Sequence, residues 1–400
     1  MHQRLFKIKG IVQHYSWGGY DFIPQLLGID NKEGKPFAEY WLGAHPNHPS
    51  SVEDANEKLS DHIRTSAPAV LGEEIASAFS TLPFLFKILD VRQMLSIQVH
   101  PGKQSAAIGF AIEKEKGIPV TAAHRNYKDE NHKPELMVAL SDFWLLHGFK
   151  DEKKLREVLE AIPDFELLSN IFNSKGYQAL YEEVMTMSQE AVNAILKPIV
   201  DKIIPLYKNK ELKKDQEDFW AARAAIDFCK EENYDRGIFS IYFFNLVHLK
   251  KGEGIFQPQG MPHAYLEGQN AEVMANSDNV LRAWLTDKHI DVAELMKHVE
   301  FKATIPDVLC PAAASHKVFS SPAKEFQLHQ YNLNKDEEVA TTTAEIWFLT
   351  SGTVVVKSDN TELSVRRGES FFMWAGTNAS INPSEKSELF RVIVPGVTKN

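Results

Sequence analysis

One pattern of turn residues occurs twice in this chain and constrains its fold more than any other feature. The first copy runs from Gly252 to His263 (GEGIFQPQGMPH) and the second from Gly368 to Ala379 (GESFFMWAGTNA). Each copy follows a β-branched and aromatic run, FSIYFFNLVHL or AEIWFLTSGTVVV, which predicts strands. Glycines at these spacings supply the turns at barrel corners. The repeat therefore predicts two small antiparallel barrels. The first copy ends in His263, a potential metal ligand, and the second ends in Ala379.

The segment 151–235 differs from the rest of the chain. Stretches such as DEKKLREVLEAI and QEAVNAILKPIVDKII place apolar residues at helical spacing. We expect a helical insertion here that interrupts the first barrel, which would comprise residues 1–150 and 236–305. Residues 306–400 would form the second barrel, without a metal. The frequent turn signals elsewhere predict a mainly β fold with antiparallel sheets.

Composition excludes several classes of partner. The 400 residues carry a net charge of −10, which argues against nucleic acid, because backbone phosphates are bound mainly by Lys and Arg. No apolar stretch is long enough to span a membrane, and the first residues lack the continuous apolar core of a signal peptide. Only Cys229 and Cys310 are present, so a disulfide framework is not expected. We therefore expect a cytoplasmic protein.

Four side chains together suggest a metal site. Gln98 and His100 lie two residues apart in a predicted strand, so both point to the same face. Glu135 lies in another predicted strand, and His263 ends the first copy of the repeat. Any one of them alone is more simply explained as a structural or surface residue. As a set, they offer oxygen and nitrogen donors suited to a redox-inert divalent ion, for which we expect Zn²⁺.

Six segments of the chain resemble motifs of the type I phosphomannose isomerases of the cupin superfamily: FAEYWLGAHP, LPFLFKILDVRQMLSIQ, QVHPGKQSA, HKPELMVAL, GEGIFQPQGMPHAYLEG and EVMANSDNVLRAWLTDKHID. They occur in the family's order and at similar intervals. The resemblance implies two cupin-like antiparallel β-barrels (jelly rolls) and an enzyme that interconverts mannose 6-phosphate and fructose 6-phosphate. It also implies one zinc ion per chain, held by Gln98, His100, Glu135 and His263.

The same resemblance suggests which residues carry the chemistry. It places Arg282 in the catalytic pocket, where a permanently charged guanidinium can pair with the negative charge of an enediolate. Glu272 is the first candidate for the proton carrier, because the family has a carboxylate at this place. Lys133 is the second candidate, with a solvated lysine at a strand end as the alternative. Asp278 would either share in catalysis or hold Arg282 or a turn.

The phosphate group of such a substrate needs cations or hydroxyls, and no Gly-rich phosphate loop of the Walker type is present. Ser96 lies one alternation before Gln98 on the same strand face and is a candidate phosphate contact. Lys103 and Arg282 could add charge. The expected partner is thus a small sugar phosphate, and we expect a monomer, with a dimer as the alternative.

Two residues differ from the metal-binding pattern of the wider cupin superfamily, and this bears on which other functions are possible. Glu267 stands where the widespread metal-binding barrel has Asn, and a glutamine occupies one ligand place. Both argue against the oxidative cupins, which gather three histidines and a glutamate around a redox metal. A dioxygenase or decarboxylase using iron or manganese nevertheless remains an alternative, as does a sugar-binding protein without turnover. A preference for another aldose phosphate is also open.

Overall fold

The computed structural model describes residues 3–53, 55, 57–230, 233–312, 314–359 and 361–396. About 30% of the chain is helix and 31% is strand. Between the described strands that form sheets, every pairing is antiparallel, as predicted. None of the described helices is long and apolar enough to cross a membrane.

The described residues before the insertion form nine strands and five helices. The strands are β1 (Leu5–Lys9), β2 (Ile11–Gln13), β3 (Glu39–Gly43), β4 (Ser51–Val52), β5 (Glu57–Lys58), β6 (Phe84–Val91), β7 (Gln98–Val99), β8 (Glu135–Ala139) and β9 (Phe143–Phe149). The helices are α1 (Phe22–Leu27), α2 (Leu59–Thr65), α3 (Ala67–Leu71), α4 (Glu73–Phe79) and α5 (Lys103–Glu115). All eight residues of β6 are buried. The run LPFLFKILD is therefore covered on both faces of the sheet.

The predicted insertion is helical. It contains α6 (Glu152–Ala161), a short 3₁₀ turn (Pro163–Phe165), α7 (Glu166–Thr186), α8 (Gln189–Lys208) and α9 (Glu217–Phe228). Asp151 and Ser188 cap α6 and α8, each accepting a hydrogen bond from a backbone N–H of the first turn. Trp220 at the centre of the insertion is fully buried. Its aromatic and aliphatic neighbours join the core of the adjacent sheet, so the insertion packs firmly against the strands.

The remaining elements follow in the order α10 (Gly237–Phe243), β10 (Phe244–Leu249), β11 (Gly254–Gln257), β12 (His263–Ala275), β13 (Leu281–Arg282), α11 (Val292–Leu295), β14 (His316–Phe319), β15 (Gln327–Leu333), β16 (Glu337–Ala340), β17 (Glu345–Ser351), β18 (Thr353–Ser358), β19 (Thr361–Arg366), β20 (Ser370–Met373), β21 (Asn378–Pro383) and β22 (Ser387–Ile393). The strands form sheets of ten, eight and four strands. The ten-stranded sheet contains β7, β8, β12 and β13, which carry or directly adjoin the predicted metal ligands and carry Glu272 and Arg282.

The two copies of the repeat adopt matching backbone conformations. Gly252 and Gly368 have φ values of 87° and 85°, and Gly260 and Gly376 have values of 76° and 69°. These left-handed conformations suit glycine, because it has no β-carbon. Ala379 is 4% exposed and packs in the apolar core of the C-terminal strands. The second copy therefore places a small apolar side chain where the first has His263.

Two local predictions were wrong. Residues 239–243 of the run FSIYFFNLVHL lie in helix α10, and only the second half forms the strand β10. All seven residues of α10 are buried, and a fully buried helix shows the same unbroken apolar pattern as a buried strand. The strand predicted around MLSIQVH is also much shorter than expected, since only Gln98 and Val99 have strand geometry.

The first strand crosses the predicted division between the barrels. Residues 5–8 of β1 pair with residues 370–373 of β20, so the N-terminal strand extends the C-terminal sheet. Phe6 and Ile8 accordingly pack in a core shared by the two halves of the molecule. The domain boundaries at 150, 235 and 305 stay a prediction, as does the closure of the sheets into two barrels.

Candidate active site and metal centre

Three of the four predicted metal ligands converge at one point. His100 directly follows β7, Glu135 begins β8 and His263 begins β12. Their ligand atoms all lie within 4.8 Å of one another, and each of the three residues is buried. His100 Nε2 lies 3.4 Å from Glu135 Oε1, and His263 Nε2 lies 3.3 Å from Glu135 Oε2. Residues separated by more than 160 positions in the chain thus form a single cluster.

Backbone carbonyls fix the orientation of both imidazoles. His100 Nδ1 donates to the Asn279 carbonyl at 2.8 Å, and His263 Nδ1 donates to the Met261 carbonyl at 2.9 Å. Each ring therefore carries its proton on Nδ1 and turns the Nε2 lone pair towards Glu135. Zinc-binding histidines are oriented in the same way, by a hydrogen bond from the nitrogen that does not bind the metal.

The charges of the cluster fit a divalent cation. Burial lowers the pKa of His100 to about 4, so the ring is neutral at pH 7. Burial alone would raise the pKa of Glu135, but the charge of the Lys133 ammonium, 2.7 Å away, holds it well below its usual range. His100 Nε2 is buried without a hydrogen-bond donor. The Nε2 atoms of His100 and His263 thus face an ionised carboxylate, and a zinc ion with nitrogen and oxygen ligands satisfies all three groups.

Gln98, the fourth predicted ligand, lies beside this cluster. Its backbone pairs with His263 on one side and with Arg282 on the other. Gln98 lines a small inner cavity of about 50 Å³ together with Glu135 and His263. It also lines a wider outer cavity of about 420 Å³. Gln98 thus stands where the metal cluster meets the space in which a substrate could bind.

The outer cavity has the polarity expected for a phosphorylated polyol. Tyr15, Trp17, Trp41 and Phe228 provide aromatic walls. Its charged groups include four cations and four carboxylates: Lys87, Lys133, Arg282, Lys288, Glu39, Asp227, Asp278 and Asp287. Asp227 and Phe228 come from the end of α9, so the helical insertion forms part of the rim. Such a mixture of apolar walls and convergent polar groups is typical of a small-molecule site.

Comparisons with known proteins agree with this geometry. Residues 5–152 match the phosphomannose isomerase type I catalytic domain. Mannose-6-phosphate isomerase of Salmonella typhimurium is 36% identical over 397 residues, which cover 96% of this chain and 98% of that protein. The Escherichia coli protein of the same name is 36% identical over 383 residues, covering 92% and 94%. The chain belongs to the type I phosphomannose isomerase family.

Solved structures of this family have the same fold. Mannose 6-phosphate isomerase from Salmonella typhimurium bound to fructose 6-phosphate and zinc matches with a TM-score of 0.87 at 33% identity. A structure bound with zinc and yttrium gives the same TM-score and identity. Each alignment covers 98% of this chain and 100% of the other. The fold found here is therefore that of the phosphomannose isomerases over nearly the whole chain.

The predicted proton carriers lie at different depths. Glu272 is 3% exposed and lines the inner cavity, where it accepts a hydrogen bond from the Tyr265 hydroxyl at 2.8 Å. Burial, and then the neighbouring charge of Glu135, raise the pKa of Glu272 to about 7. Lys133 lines both cavities, and its Nζ lies 2.7 Å from Glu135 Oε1. Both candidates thus line a cavity beside the metal cluster.

Asp278 and Arg282 both face the outer cavity. Asp278 pairs with His45 at 3.2 Å, and its backbone N–H donates to Asp129, so it holds a turn and a histidine. Among the described residues, no carboxylate lies within ion-pair distance of Arg282. Burial lowers the pKa of Arg282 from its usual value, which is high enough that the guanidinium stays charged at pH 7.

The two residues predicted to contact the phosphate, Ser96 and Lys103, lie in different parts of the structure. Ser96 lines the outer cavity. Lys103 lies elsewhere, at the first residue of α5, where its charge helps to lower the pKa of Glu325. The structure therefore brings Ser96, but not Lys103, to the candidate substrate site.

Sequence reasoning missed two cations of the cavity. Lys87 lies 3.3 Å from Glu39 and 3.7 Å from Glu272, and its ammonium is over the Trp41 ring. A lysine within the apolar run LPFLFKILD was a signal, because a buried strand does not carry a charge without a partner. Lys288 follows a turn in which Trp284 and Leu285 have φ values of 76° and 55°. Lys288 lies near Arg282 because of that turn, and no pattern in the sequence indicated this position.

Proposed function

We propose that this protein is a zinc-dependent aldose–ketose isomerase that interconverts mannose 6-phosphate and fructose 6-phosphate. One observation carries the proposal. The cluster of His100, Glu135 and His263 has the geometry to hold a metal ion, and Gln98 lines both the inner cavity at this cluster and the outer cavity with its four basic side chains. A metal next to a pocket for an anionic polyol is the arrangement such a reaction needs. The family relationship supports the same substrate and the same metal.

The metal would be held by His100, Glu135, His263 and Gln98. When bound, zinc supplies a Lewis acid that polarises a substrate oxygen and a template that orients the reacting carbons. Lys133 is within hydrogen-bond distance of Glu135, so its ammonium helps to keep that carboxylate ionised for the metal.

The phosphate would bind at Lys288, with Ser96 as a second contact. Burial, and then the charge of Arg282, lower the pKa of Lys288, so the two cations are near neighbours. Among the described residues neither has a carboxylate at ion-pair distance, which leaves this end of the cavity locally positive. An anionic group satisfies both cations, and ammonium and hydroxyl groups are suitable donors to phosphate oxygens.

Glu272 would move the proton between the adjacent carbons. Its carboxyl has a pKa raised towards neutrality, and a base with a pKa near the working pH is the most effective proton carrier. Lys133 is the alternative carrier, since it lines both cavities. Arg282 would stabilise the enediolate, because its cation lies across β7 from the metal ligands and is free of a carboxylate partner.

The organisation of the molecule belongs to the same proposal. Two cupin-like barrels would be divided at residues 150, 235 and 305, with the helical insertion at the rim of the site. The protein would act as a monomer, with a dimer as the alternative.

The experiment that tests the function is a coupled assay of fructose 6-phosphate formed from mannose 6-phosphate. We expect turnover that disappears with a chelator and returns on addition of zinc. Transfer of solvent deuterium to the product carbon would support proton transfer through an enediolate. Turnover that persists in the metal-free protein, or that returns only with iron and oxygen, would contradict the proposal.

A further inference from the structure

A second polar crevice lies outside the candidate active site. It has a volume of about 430 Å³ and is formed where the turn between β10 and β11 meets strands β14, β15 and β22. We call it the lysine crevice and define it by Lys251, Lys317, Lys386, Gln330, Ser387 and Glu388. It shares no residue with the two cavities at the metal cluster.

The strand register brings the polar groups of the crevice to one face. Lys317 is directly opposite Gln330, and Asn332, two residues further along, is opposite Glu388. Residues directly opposite each other in adjacent strands lie on the same face of the sheet. Lys317 Nζ lies 3.7 Å from the place that a β-carbon on Gly252 would occupy, so the turn covers this cation.

The crevice has an excess of positive charge. Three lysines line it against the single carboxylate Glu388, in a chain whose net charge is −10. The carboxylate is already engaged, because Oε1 accepts from Gln330 at 2.6 Å and Oε2 lies 3.4 Å from Lys251 Nζ. Lys317 and Lys386 are therefore the cations that remain available to a ligand.

A buried acceptor completes the site. Gln330 is 3% exposed, and its Nε2 donates to Glu388, which fixes the orientation of the amide. Its Oε1 is buried and has no hydrogen-bond donor. A buried amide oxygen without a donor costs free energy that a hydroxyl group of a ligand could recover. Lysines for an anion thus lie beside an acceptor for a hydroxyl.

We propose that the lysine crevice binds a phosphorylated polyol, with the phosphate on Lys317 and Lys386 and a hydroxyl on Gln330 Oε1. Its volume falls in the range of small-ligand sites, which is roughly 300–1,000 Å³. The ligand would bridge the turn before β11 and the C-terminal sheet. Strand β11 pairs with β8 at Gln257 and Glu135, so the occupied crevice contacts an element that adjoins a proposed metal ligand.

The test is equilibrium dialysis of the zinc-loaded protein with labelled glycerol 3-phosphate. The double variant Lys317→Ala/Lys386→Ala should bind one molecule per chain fewer than the unmodified protein, while its isomerase kcat/KM stays within about twofold. The control Lys335→Ala, at an exposed lysine in the turn between β15 and β16, should bind as many molecules as the unmodified protein. Equal binding by the double variant and the unmodified protein would overturn the proposal. So would a loss of isomerase activity in parallel with binding, because the lysines would then act on the active site.

Inorganic phosphate distinguishes an anion site from a phosphorylated-polyol site. If Gln330 Oε1 accepts from a hydroxyl, glycerol 3-phosphate should bind about tenfold more tightly than inorganic phosphate in the crevice. Equal affinity of the two probes at the site that the double variant removes would contradict the role of Gln330. Circular dichroism of both variants checks that they are folded.

Discussion

Asn279 shows how much of the metal centre depends on a residue that binds no metal. Its side chain is fully buried and ties down the segment before Glu135: Oδ1 accepts from Lys128 N at 2.7 Å, and Nδ2 donates to the carbonyls of Asp129 and Asn131 at 2.8 Å. Its own carbonyl accepts from His100 Nδ1. One residue therefore fixes the tautomer of a proposed ligand and anchors the loop that leads to another.

We expect Asn279→Ala to weaken zinc binding by about 10–100-fold. The backbone carbonyl that accepts from His100 remains in this variant, but the side-chain hydrogen bonds that hold it in place are lost, and groups that orient a metal-binding histidine have effects of this size. The affinity is measured by competition with a chromophoric chelator, and the absorption spectrum of the cobalt-substituted protein reports the geometry of the site. Thr341→Val is the matched control, since Thr341 is buried and bonded in the C-terminal strands. It should lower stability and leave zinc affinity unchanged. An unaltered zinc affinity and cobalt spectrum in Asn279→Ala would rule out the positioning role.

His263 and Arg282 should separate metal binding from turnover. His263→Ala removes a ligand from the cluster, so zinc and activity should be lost together. Arg282→Ala should keep about one zinc per chain and lose about 10²–10³-fold in kcat, the range for a group that stabilises charge in the transition state. Metal analysis and steady-state kinetics measure both effects. Near-normal kcat in Arg282→Ala would disprove its role at the enediolate.

At the scale of helices and strands, the local sequence pattern predicted the glycine turns but not the type of every element. The repeat predicts both of its turns correctly, because a left-handed glycine is a local requirement that the residue type itself satisfies. The run FSIYFFNLVHL gives no such local sign, and its first half is a helix. Burial on every side removes the alternation that would mark a strand, so the choice depends on what packs around the segment.

The two glycine turns of the repeat allow a matched test of how much of each glycine's role is local and how much depends on its neighbours. In Gly260→Ala a β-carbon would lie 2.9 Å from Glu300 Cγ and from the His298 carbonyl, whereas in Gly376→Ala it would lie 4.0 Å from Arg4. Both substitutions strain a left-handed backbone at a cost of about 1–2 kcal/mol. We expect Gly260→Ala to lose about 1–3 kcal/mol more, because a neighbour must also move. Urea unfolding measures the difference, and equal losses would contradict the argument.

At the scale of the whole molecule, stability should depend on pH through the buried His329, which is hydrogen-bonded to the exposed His316. His329 is 6% exposed; its Nδ1 accepts from His316 at 2.8 Å and its Nε2 donates to Gln327 at 2.9 Å. Burial, followed by the charges of Arg391 and His316, lowers the pKa of His329 to about 3. The unfolded chain binds this proton with a pKa of about 6.5. The stability that His329 contributes is therefore complete above pH ~6.5 and is lost as the pH falls towards ~3.

We expect the protein to lose about 1–2 kcal/mol between pH 7 and pH 5 through this residue alone. His329→Gln retains a donor and an acceptor but does not titrate, so its stability should vary less with pH over the same interval. Urea unfolding at the two pH values measures the difference. His14→Gln, at an exposed histidine, serves as the control and should keep the slope of the unmodified protein. An unchanged slope in His329→Gln would show that His329 does not couple folding to pH.

The sequence by itself determined the repeat with its two glycine turns, the helical character of the segment after residue 151, and the three residues His100, Glu135 and His263 that cluster as a candidate metal site; Gln98 as a fourth ligand stays a prediction. These rest on residue type and on spacing within short segments, both of which are visible along the chain. Only the tertiary structure decided that β1 joins the C-terminal sheet, that Lys87 lies between Glu39 and Glu272, and that the Asn279 carbonyl orients His100. Each of these contacts joins distant segments. The spacing of residues along the chain does not show which distant groups will meet. A buried charge or N–H needs a partner, and the fold determines which group lies close enough to be that partner.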